Sequence, residues 1–157
     1  MSENGNIQPE RPDPVVILCQ YFWPEETATA EMVSGAAFEL SKNGIPVKAV
    51  AGQPAYRNRR QKFVKIMEKD GVIIQRVWST RFNKNRTLGR VLNTVSFAIS
   101  ALIACLMQRK AGAFLAVTNP PLLPWIAAAV SLIRGKPCFL LVHDVYPQIA
   151  TALGKLQ

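Results

Sequence analysis

Short apolar runs alternate with amphipathic stretches along most of the chain. The first run, Val15–Cys19, is apolar at every position and rich in β-branched residues, which is typical of a strand buried on both faces of a parallel sheet. Apolar residues then recur at helical spacing from Met32 to Leu40, and Asn43–Gly44 ends this helix. The whole pattern predicts strands at 15–19, 46–51, 72–78, 113–117 and 138–142, and helices at 32–40, 88–107 and 122–133, with a further helix beginning at 146–147.

This alternation of strands and helices predicts an α/β fold with a doubly wound, mostly parallel sheet of the Rossmann-like type. Residues 1–14 are polar and rich in proline, so we expect a disordered leader there, followed by one domain at 15–157. A domain of this kind normally closes with helices after its central strands, whereas this sequence ends soon after Tyr146–Pro147. We therefore expect the chain to be the N-terminal part of a longer, truncated unit.

The segment 91–107 contains no charged residue and is flanked by Arg90 and by Arg109–Lys110. Its length is at the lower limit for crossing a bilayer, and polar residues dilute it. We favour a helix buried in the sheet sandwich or one that lies in a membrane interface, and a true membrane span stays a rival. The apolar stripe of this predicted helix comprises Leu88, Val91, Leu92, Val95, Ile99, Leu102, Ile103 and Leu106.

Charge separates one segment from the rest of the chain. The net charge is +9, and hydrophobic residues make up 49% of the sequence, which excludes wholesale disorder. The whole excess of positive charge lies between Arg57 and Arg90. A solvated loop, a nucleic-acid patch and a surface for an anionic membrane all fit this segment, but no RRM, HTH or OB pattern accompanies it. We predict a membrane and acceptor patch, and no nucleic-acid partner, for Arg57, Arg59, Arg60, Lys62, Lys65, Arg81, Lys84, Arg86 and Arg90.

The sequence lacks the residues of several common kinds of site. The three cysteines, Cys19, Cys105 and Cys138, are far apart in apolar sequence, which favours buried reduced thiols in a cytosolic protein. With one histidine and no CxxC, the chain offers no ligand set for a structural zinc ion. Neither GxGxxG after the first strand nor GxxxxGK[ST] occurs, which argues against dinucleotide dehydrogenases and P-loop NTPases.

Candidate chemistry concentrates in three loops at the carboxyl ends of predicted strands, where open parallel sheets bind ligands. The first loop, 20–29, has two aromatic residues and a proline, and its polar residues either cap the next helix or bind substrate. Its predicted substrate-binding residues are Trp23, Glu25, Glu26, Thr27 and Thr29, joined by Asn119 from the second loop. In the third loop, His143 and Asp144 are candidate catalytic residues, and a purely structural histidine is an equal alternative.

Several motifs together resemble the N-terminal domain of bacterial family-4 glycosyltransferases, in particular the WbuB/WcaI group linked to O-antigen and colanic acid assembly. The motifs are FWPEETATA (22–30), TNPPLLP (118–124) and HDVYP (143–147), and the resemblance spans roughly 15–156. It implies the N-terminal half of a GT-B fold and retaining transfer of a sugar from a UDP- or GDP-linked donor to a polyprenyl-diphosphate-linked acceptor. The nucleotide-sugar would be bound mainly by a C-terminal domain, without a cofactor or a required metal. The lack of a signal peptide, together with this acceptor, implies a cytoplasmic protein that is peripheral on the inner face of the cytoplasmic membrane.

The chain also departs from the family pattern. The first loop has PEETA where family members often have glycines, so we do not expect it to cradle a phosphate directly. Glu31 and Glu39 match the family's E-x7-E spacing, but they lie on the first helix, far from where that motif functions. We expect no activity from the chain alone, and a non-catalytic fragment or an interaction module at the membrane is the alternative.

Overall fold

The computed structural model describes residues 12–53, 64–83 and 86–142. It has an α/β architecture, with helices on both faces of one sheet. The helices are α1 (Ala28–Lys42), α2 (Thr87–Leu106) and α3 (Leu123–Arg134). The strands are β1 (Val15–Cys19), β2 (Val47–Gly52), β3 (Ile66–Lys69), β4 (Val72–Val77), β5 (Ala113–Val117) and β6 (Cys138–Leu141).

Within the described residues the sheet has six strands in the order β3-β4-β2-β1-β5-β6. All neighbouring strands are parallel except β3 and β4. The chain first builds outward from β1 through β2 to β4, and then crosses to the other side of β1 to form β5 and β6. This order confirms the predicted Rossmann-like sheet and puts its topological switch point between β1 and β5.

One face of the sheet is covered by α1. Because side chains alternate between the faces of a strand, every second residue of the central strands belongs to this core. Helix α1 contributes Val33 and Ala37 to it, and the loop after β1 contributes Phe22, whose ring packs edge-on against Phe38 at 6.1 Å between centroids. The strand residues of this core are Ile17, Cys19, Val47, Ala49, Ala51, Val72, Ile74 and Val117.

The opposite face is covered by α2 and α3, which also pack against each other. Phe97, Ala101 and Cys105 of α2 are buried against the sheet, as are Ala127 and Val130 of α3. Small residues on the inner side of α2 let the helix lie close to the strands. The strand residues of this core are Val16, Leu18, Val50, Val77, Phe114 and Ala116.

Helix α2 packs on the sheet, but not through the apolar stripe that the sequence analysis identified. Most residues of that stripe point away from the sheet. Leu88 is 70% exposed, Ile99 is 55% exposed and Ile103 is 53% exposed, whereas Leu102 and Leu106 are partly buried against the core. In the described part of the chain, α2 alone is long and apolar enough to cross a membrane by length and composition.

Strand β3 was not predicted from the sequence. It forms an antiparallel hairpin with β4 through Asp70 and Gly71, both of which have positive φ angles of 49° and 75°. Positive φ at both central residues is the requirement of a type I′ turn, for which Asp-Gly is a preferred pair. Asp70–Gly71 was therefore a signal for a hairpin in the sequence, from which only the strand at 72–78 was predicted.

Candidate functional site

Two loops meet at the switch point of the sheet. The first follows β1 and leads into α1, and the second follows β5 and leads into α3. Leu18 pairs with Ala116 across the β1–β5 ladder, so the two loops leave neighbouring strands at the same edge. Ligands of open α/β sheets bind outside this edge. The structure thus brings the loops of Trp23–Thr29 and Asn119 to one edge, as the sequence predicted from their positions.

The loop after β1 is held in place by its own backbone and by α1. The Glu25 N–H donates to the Phe22 carbonyl at 3.2 Å, and the Trp23 N–H donates to Ser34 Oγ at 2.8 Å. Lys69 Nζ lies 5.8 Å from the centroid of the Trp23 ring, within the range of a cation–π contact. These contacts hold a half-buried tryptophan on the α1 side of the sheet, toward β3 and not toward β5.

The polar residues of this loop divide into two kinds. Thr27 is the N-cap of α1, and its Oγ1 accepts a hydrogen bond from the Ala30 N–H at 3.2 Å, which is the structural alternative weighed for it. Glu25 and Thr29 are half-buried, whereas Glu26 is exposed. Capping alone accounts for Thr27. The assignment of Glu25, Glu26 and Thr29 to substrate binding stays a prediction.

Arg76 is the residue that sequence reasoning missed. It lies on β4, on the α1 side of the sheet, and is 2% exposed. Its Nη1 donates to the Gly52 carbonyl at 2.7 Å, and its Nη2 donates to the carbonyls of Phe22, at 3.3 Å, and of Trp23. One guanidinium therefore ties the end of β2 to the loop after β1.

The electrostatic setting of Arg76 explains why its partners are carbonyls. Burial lowers the pKa of its guanidinium, and electrostatic interactions with Cys19 and Glu25 act in the opposite direction. An arginine side chain stays charged in a protein, so its buried donors need acceptors. Arg76 had been counted with the basic segment 57–90, and its burial removes that charge from any surface patch. Its position on the inward side of an apolar strand, VIIQRV, was the available signal.

The loop after β5 is also tied to its surroundings. The Thr118 N–H donates to the Leu141 carbonyl of β6 at 3.2 Å, and the Leu123 N–H donates to the Pro120 carbonyl at 3.0 Å. Asn119 is half-buried between these two anchors. The Asn119–Pro120 peptide is cis, as is Trp23–Pro24 in the loop after β1. The predicted catalytic pair His143 and Asp144 lies outside the described residues, so its assignment stays a prediction.

The predicted basic patch is only partly covered by the structure. Lys65, Arg81, Arg86 and Arg90 are described and all are exposed. The remaining members, Arg57, Arg59, Arg60, Lys62 and Lys84, lie outside the described residues.

Arg86 and Arg90 stand at the N-terminal end of α2, where positive charge opposes the helix dipole. Arg86 is the N-cap and makes no side-chain capping hydrogen bond, and the first turn has no acidic residue. These cations therefore do not stabilise the helix that they begin.

The outer surface of α2 and α3, which we call the α2–α3 outer face, is apolar. It contains a groove of about 310 Å³ between the helices, and Trp125 beside this groove is 76% exposed. Arg109 and Lys110 are exposed just beyond the other end of α2. No Asp or Glu occurs anywhere between residues 71 and 142. The groove is lined by Val95, Ala98, Ile99, Leu102, Leu122, Trp125, Ile126 and Ala129.

The cysteines do not form a common site. Burial raises the pKa of both the Cys19 and the Cys105 thiols to about 12, so both are protonated near neutral pH. Cys138 is exposed on β6, which corrects the expectation that all three thiols are buried. Among the residues that the structure covers, no group of three His, Cys, Asp or Glu side chains is placed to hold a metal ion.

Comparison with known proteins gives no family assignment. No protein-family model matches the chain, and no curated protein matches it significantly.

Proposed function

We propose that the chain is the acceptor-side domain of a retaining glycosyltransferase for surface polysaccharide of the O-antigen or colanic acid type. In this proposal it receives a polyprenyl-diphosphate-linked glycan at the inner face of the cytoplasmic membrane. The sugar would come from a UDP- or GDP-linked donor held mainly by a second, C-terminal domain of a GT-B fold. No cofactor and no metal are part of the proposal.

The observation that carries the proposal is the convergence of two sequence motifs. FWPEETATA and TNPPLLP are far apart in the chain, yet they form the loops after β1 and β5 on the two sides of the switch point. That edge is where a Rossmann-like sheet binds its ligand. Motifs that resemble one enzyme family and also meet at the ligand-binding edge of the matching fold support a shared function.

The α2–α3 outer face supports the membrane part of the proposal. Large apolar side chains cover it, cations stand at both ends of α2, and acidic residues are absent from residues 71–142. An interfacial helix has this combination, because its apolar side enters the acyl boundary while its cations meet anionic headgroups. A domain that docks by this face would have its carboxyl edge beside the bilayer surface, at about a right angle to the docked face.

The proposed chemistry assigns distinct roles to the loops. His143 and Asp144, which follow β6 in the sequence, would face the acceptor, where a histidine can exchange a proton and a carboxylate can orient it or hold a hydroxyl. Trp23 and Asn119 would line the acceptor from the β1 and β5 loops. Because donor binding belongs to the second domain, the chain alone should bind acceptor without turning over nucleotide sugar.

The test uses the full chain and neutral lipid nanodiscs with or without a polyprenyl-diphosphate-linked sugar. We expect tighter binding to the discs that contain the acceptor, and weaker binding after Trp23→Ala but not after Trp125→Phe. Radiolabelled UDP- and GDP-sugars added to the same discs should give no product. Equal binding to both kinds of disc, or transfer by the chain alone, would contradict the proposal.

An interaction module at the membrane is the second candidate, favoured by the exposed groove between α2 and α3. A docked protein would cover this apolar groove as well as a bilayer would. The two functions differ in the nanodisc experiment, because an interaction module gains nothing from the acceptor lipid.

A further inference from the structure

Strand β6 forms one edge of the sheet and is unusually exposed for a strand that runs parallel to its neighbour. Phe139 is 56% exposed and Leu140 is 52% exposed. Parallel strands are normally covered on both faces of the sheet. Within residues 12–53, 64–83 and 86–142, β6 pairs with β5 alone, so its other side has no strand partner there. The free side of β6 is therefore a place where a further strand can join the sheet.

Apolar side chains lie on both faces of the sheet at this edge. Phe139 pairs with Leu115, which packs against the core on the α1 side, so Phe139 lies on that side too. Leu140 pairs with Ala116 of the opposite core and lies on the α2–α3 side. An added strand would therefore find apolar surface on both of its faces.

The other edge of the sheet, β3, shows how this fold protects an exposed edge. Glu68 and Lys69 belong to that strand, and Lys65 precedes it. Charged side chains on an edge strand oppose pairing with another chain, because an added strand would desolvate them. Strand β6 has no charged residue, and Lys136 just before it forms an ion pair with Asp13, at 3.5 Å between Nζ and Oδ2. The β3 edge is thus protected against association, whereas the β6 edge is suited to it.

The hydrogen bonds between β5 and β6 show which backbone groups face the free side. The N–H groups of β5 and of the residue after it donate to the carbonyls of Pro137, at 2.9 Å, and of Leu141, at 3.2 Å. Alternate residues of a strand direct their backbone groups to the same side. Cys138, Leu140 and Val142 therefore direct their N–H and carbonyl groups away from β5.

The distribution of charge favours a second copy of this chain as the occupant of the β6 edge. The chain has a net charge of +9, and the exposed cations of the basic segment that the structure describes lie on or beside β3, after β4 and at the start of α2. Five strand spacings separate β3 from β6, roughly 24 Å, whereas the Debye length is about 8 Å at physiological salt. Two copies of a basic chain can therefore meet at this edge with little repulsion. A partner recognised by charge would bind on the basic side instead.

We propose that β6 pairs with β6 of a second copy, antiparallel and about a two-fold axis at Leu140. This isologous contact puts Leu140 opposite Leu140 of the second copy and Cys138 opposite Val142. The register gives partners to the outward backbone groups of all three residues and brings no like charges together. Both α2–α3 outer faces then lie on the same side of one continuous sheet, where both can meet the same membrane. The pairing does not depend on the proposed glycosyltransferase function.

Sedimentation velocity of the full chain over a concentration series measures the association. The buffer contains a reductant and an uncharged detergent to cover the α2–α3 outer face. We expect a dimer whose Kd is raised about tenfold or more by Leu140→Lys, because two ammonium groups would lie opposite each other at the axis. Ile66→Lys on β3, where Ile66 is 55% exposed, is the matched control and should leave the Kd unchanged. Both positions are exposed, so circular dichroism should show both variants folded.

Disulfide formation tests the register. Residues directly opposite each other in a hydrogen-bonded antiparallel pair have Cα atoms about 5.5 Å apart, which is within the range of a disulfide. Leu140→Cys in a Cys138→Ser background should therefore give a disulfide-linked dimer under mild oxidation. Cys138 of the unsubstituted chain should give little, because its counterpart is displaced by about 13 Å along the strand. Ile66→Cys in the same background is the control at the other edge and should stay monomeric.

Several results would overturn the proposal. A monomer at every concentration would do so, as would a dimer that Leu140→Lys leaves intact. A dimer that Leu92→Glu abolishes instead would place the contact on the α2–α3 outer face. A monomer in which the thiol introduced by Leu140→Cys resists a maleimide would show that residues 143–157, or another part of the same chain, cover the edge. Disulfide formation by Cys138 but not by Leu140→Cys would overturn the register.

Discussion

The two faces of the sheet share the same strands, but their helices differ. Helix α1 follows the usual rules for a helix end: Thr27 caps it, Glu31 lies in its first turn and Lys42 in its last. Helix α2 breaks those rules, because Arg86 and Arg90 stand at its N-terminal end without a capping side chain or an acidic neighbour. The outward side of α1 carries acids, small residues and Met32, whereas the outward side of α2 carries a stripe of large apolar residues.

This difference indicates that the charged groups of the two faces have different partners. On the α1 side the unusual charge, Arg76, is turned inward and satisfied by backbone carbonyls. On the α2–α3 side the charges are outward at the helix ends and flank apolar surface. Substitutions on the α1 side should therefore mainly change the free energy of unfolding. Substitutions on the α2–α3 outer face should mainly change binding.

The largest effect is expected from the buried charge on the α1 side. Arg76→Met should lower the free energy of unfolding by more than about 3 kcal/mol, because the carbonyls of Gly52, Phe22 and Trp23 lose their buried donors. Urea unfolding followed by circular dichroism measures the change. Arg90→Met, which removes an exposed cation, should stay within about 0.5 kcal/mol. Equal losses in the two variants would contradict the role assigned to Arg76.

The next effect separates the outer surfaces of the two faces with a matched pair. Leu92 on α2 and Met32 on α1 are both 41% exposed. Leu92→Glu should reduce partitioning onto anionic vesicles about 10- to 100-fold, since it removes apolar surface and adds a repelled charge. Met32→Glu should leave partitioning unchanged, although both variants should lose a similar, small amount of folding stability. Co-sedimentation with vesicles measures the partitioning. Equal effects of Leu92→Glu and Met32→Glu would contradict the proposed difference between the two faces.

Much of the fold could be predicted from the sequence, because it depends on local patterns. Strands β1 and β5 were predicted with the bounds that the structure shows, since continuous apolar runs between turn residues have few other interpretations. The ends of α2 were predicted within one residue by the same argument. Strand β3 was missed because it is short, exposed on one side and embedded in basic sequence, and its Asp70–Gly71 turn was the only strong signal.

The candidate site was harder to predict from the sequence, because it depends on contacts between distant segments. The meeting of the loops after β1 and β5 at one edge follows from the parallel direction of the strands, which the α/β pattern predicts. The role of Arg76 does not follow, because a basic residue in a basic segment suggests a surface until its carbonyl partners are known. The outward direction of the apolar stripe on α2 was equally hidden, since residues such as Ala101 and Ala104 give the inner side no stronger apolar signal than the outer one.

A smaller effect should show that the inner cores of the two faces are equivalent. Cys19 belongs to the α1 core and Cys105 to the α2–α3 core, and burial raises the pKa of each thiol from 9.0 to about 12. The unfolded thiols release their protons near pH 9 while the folded ones keep theirs, so the unfolding free energy falls as the pH rises from 9 to 12. Each thiol should contribute at most about 1.4 kcal/mol per pH unit.

Cys19→Ala and Cys105→Ala should each remove one such contribution from the slope of unfolding free energy against pH. Because the difference is taken between variants, titration of other groups cancels. Chemical denaturation at several pH values gives the slopes. A reduced slope in one variant only would show that one of the thiols ionises in the folded protein, and the two cores would then differ.

The smallest single effects should come from the cations at the ends of α2. Each Lys or Arg near an anionic membrane contributes about 1 kcal/mol, so Arg90→Gln or Arg109→Gln should weaken vesicle binding about fivefold. Lys42→Gln on α1 removes the same charge from the other face and should change nothing, and Arg90→Lys should retain binding. Raising the salt concentration shortens the screening length and should abolish the differences among these variants, while leaving the part of the Leu92→Glu effect that comes from lost apolar surface. If salt instead removed the effect of Leu92→Glu, the apolar stripe would contribute nothing to docking and the cations alone would account for the binding.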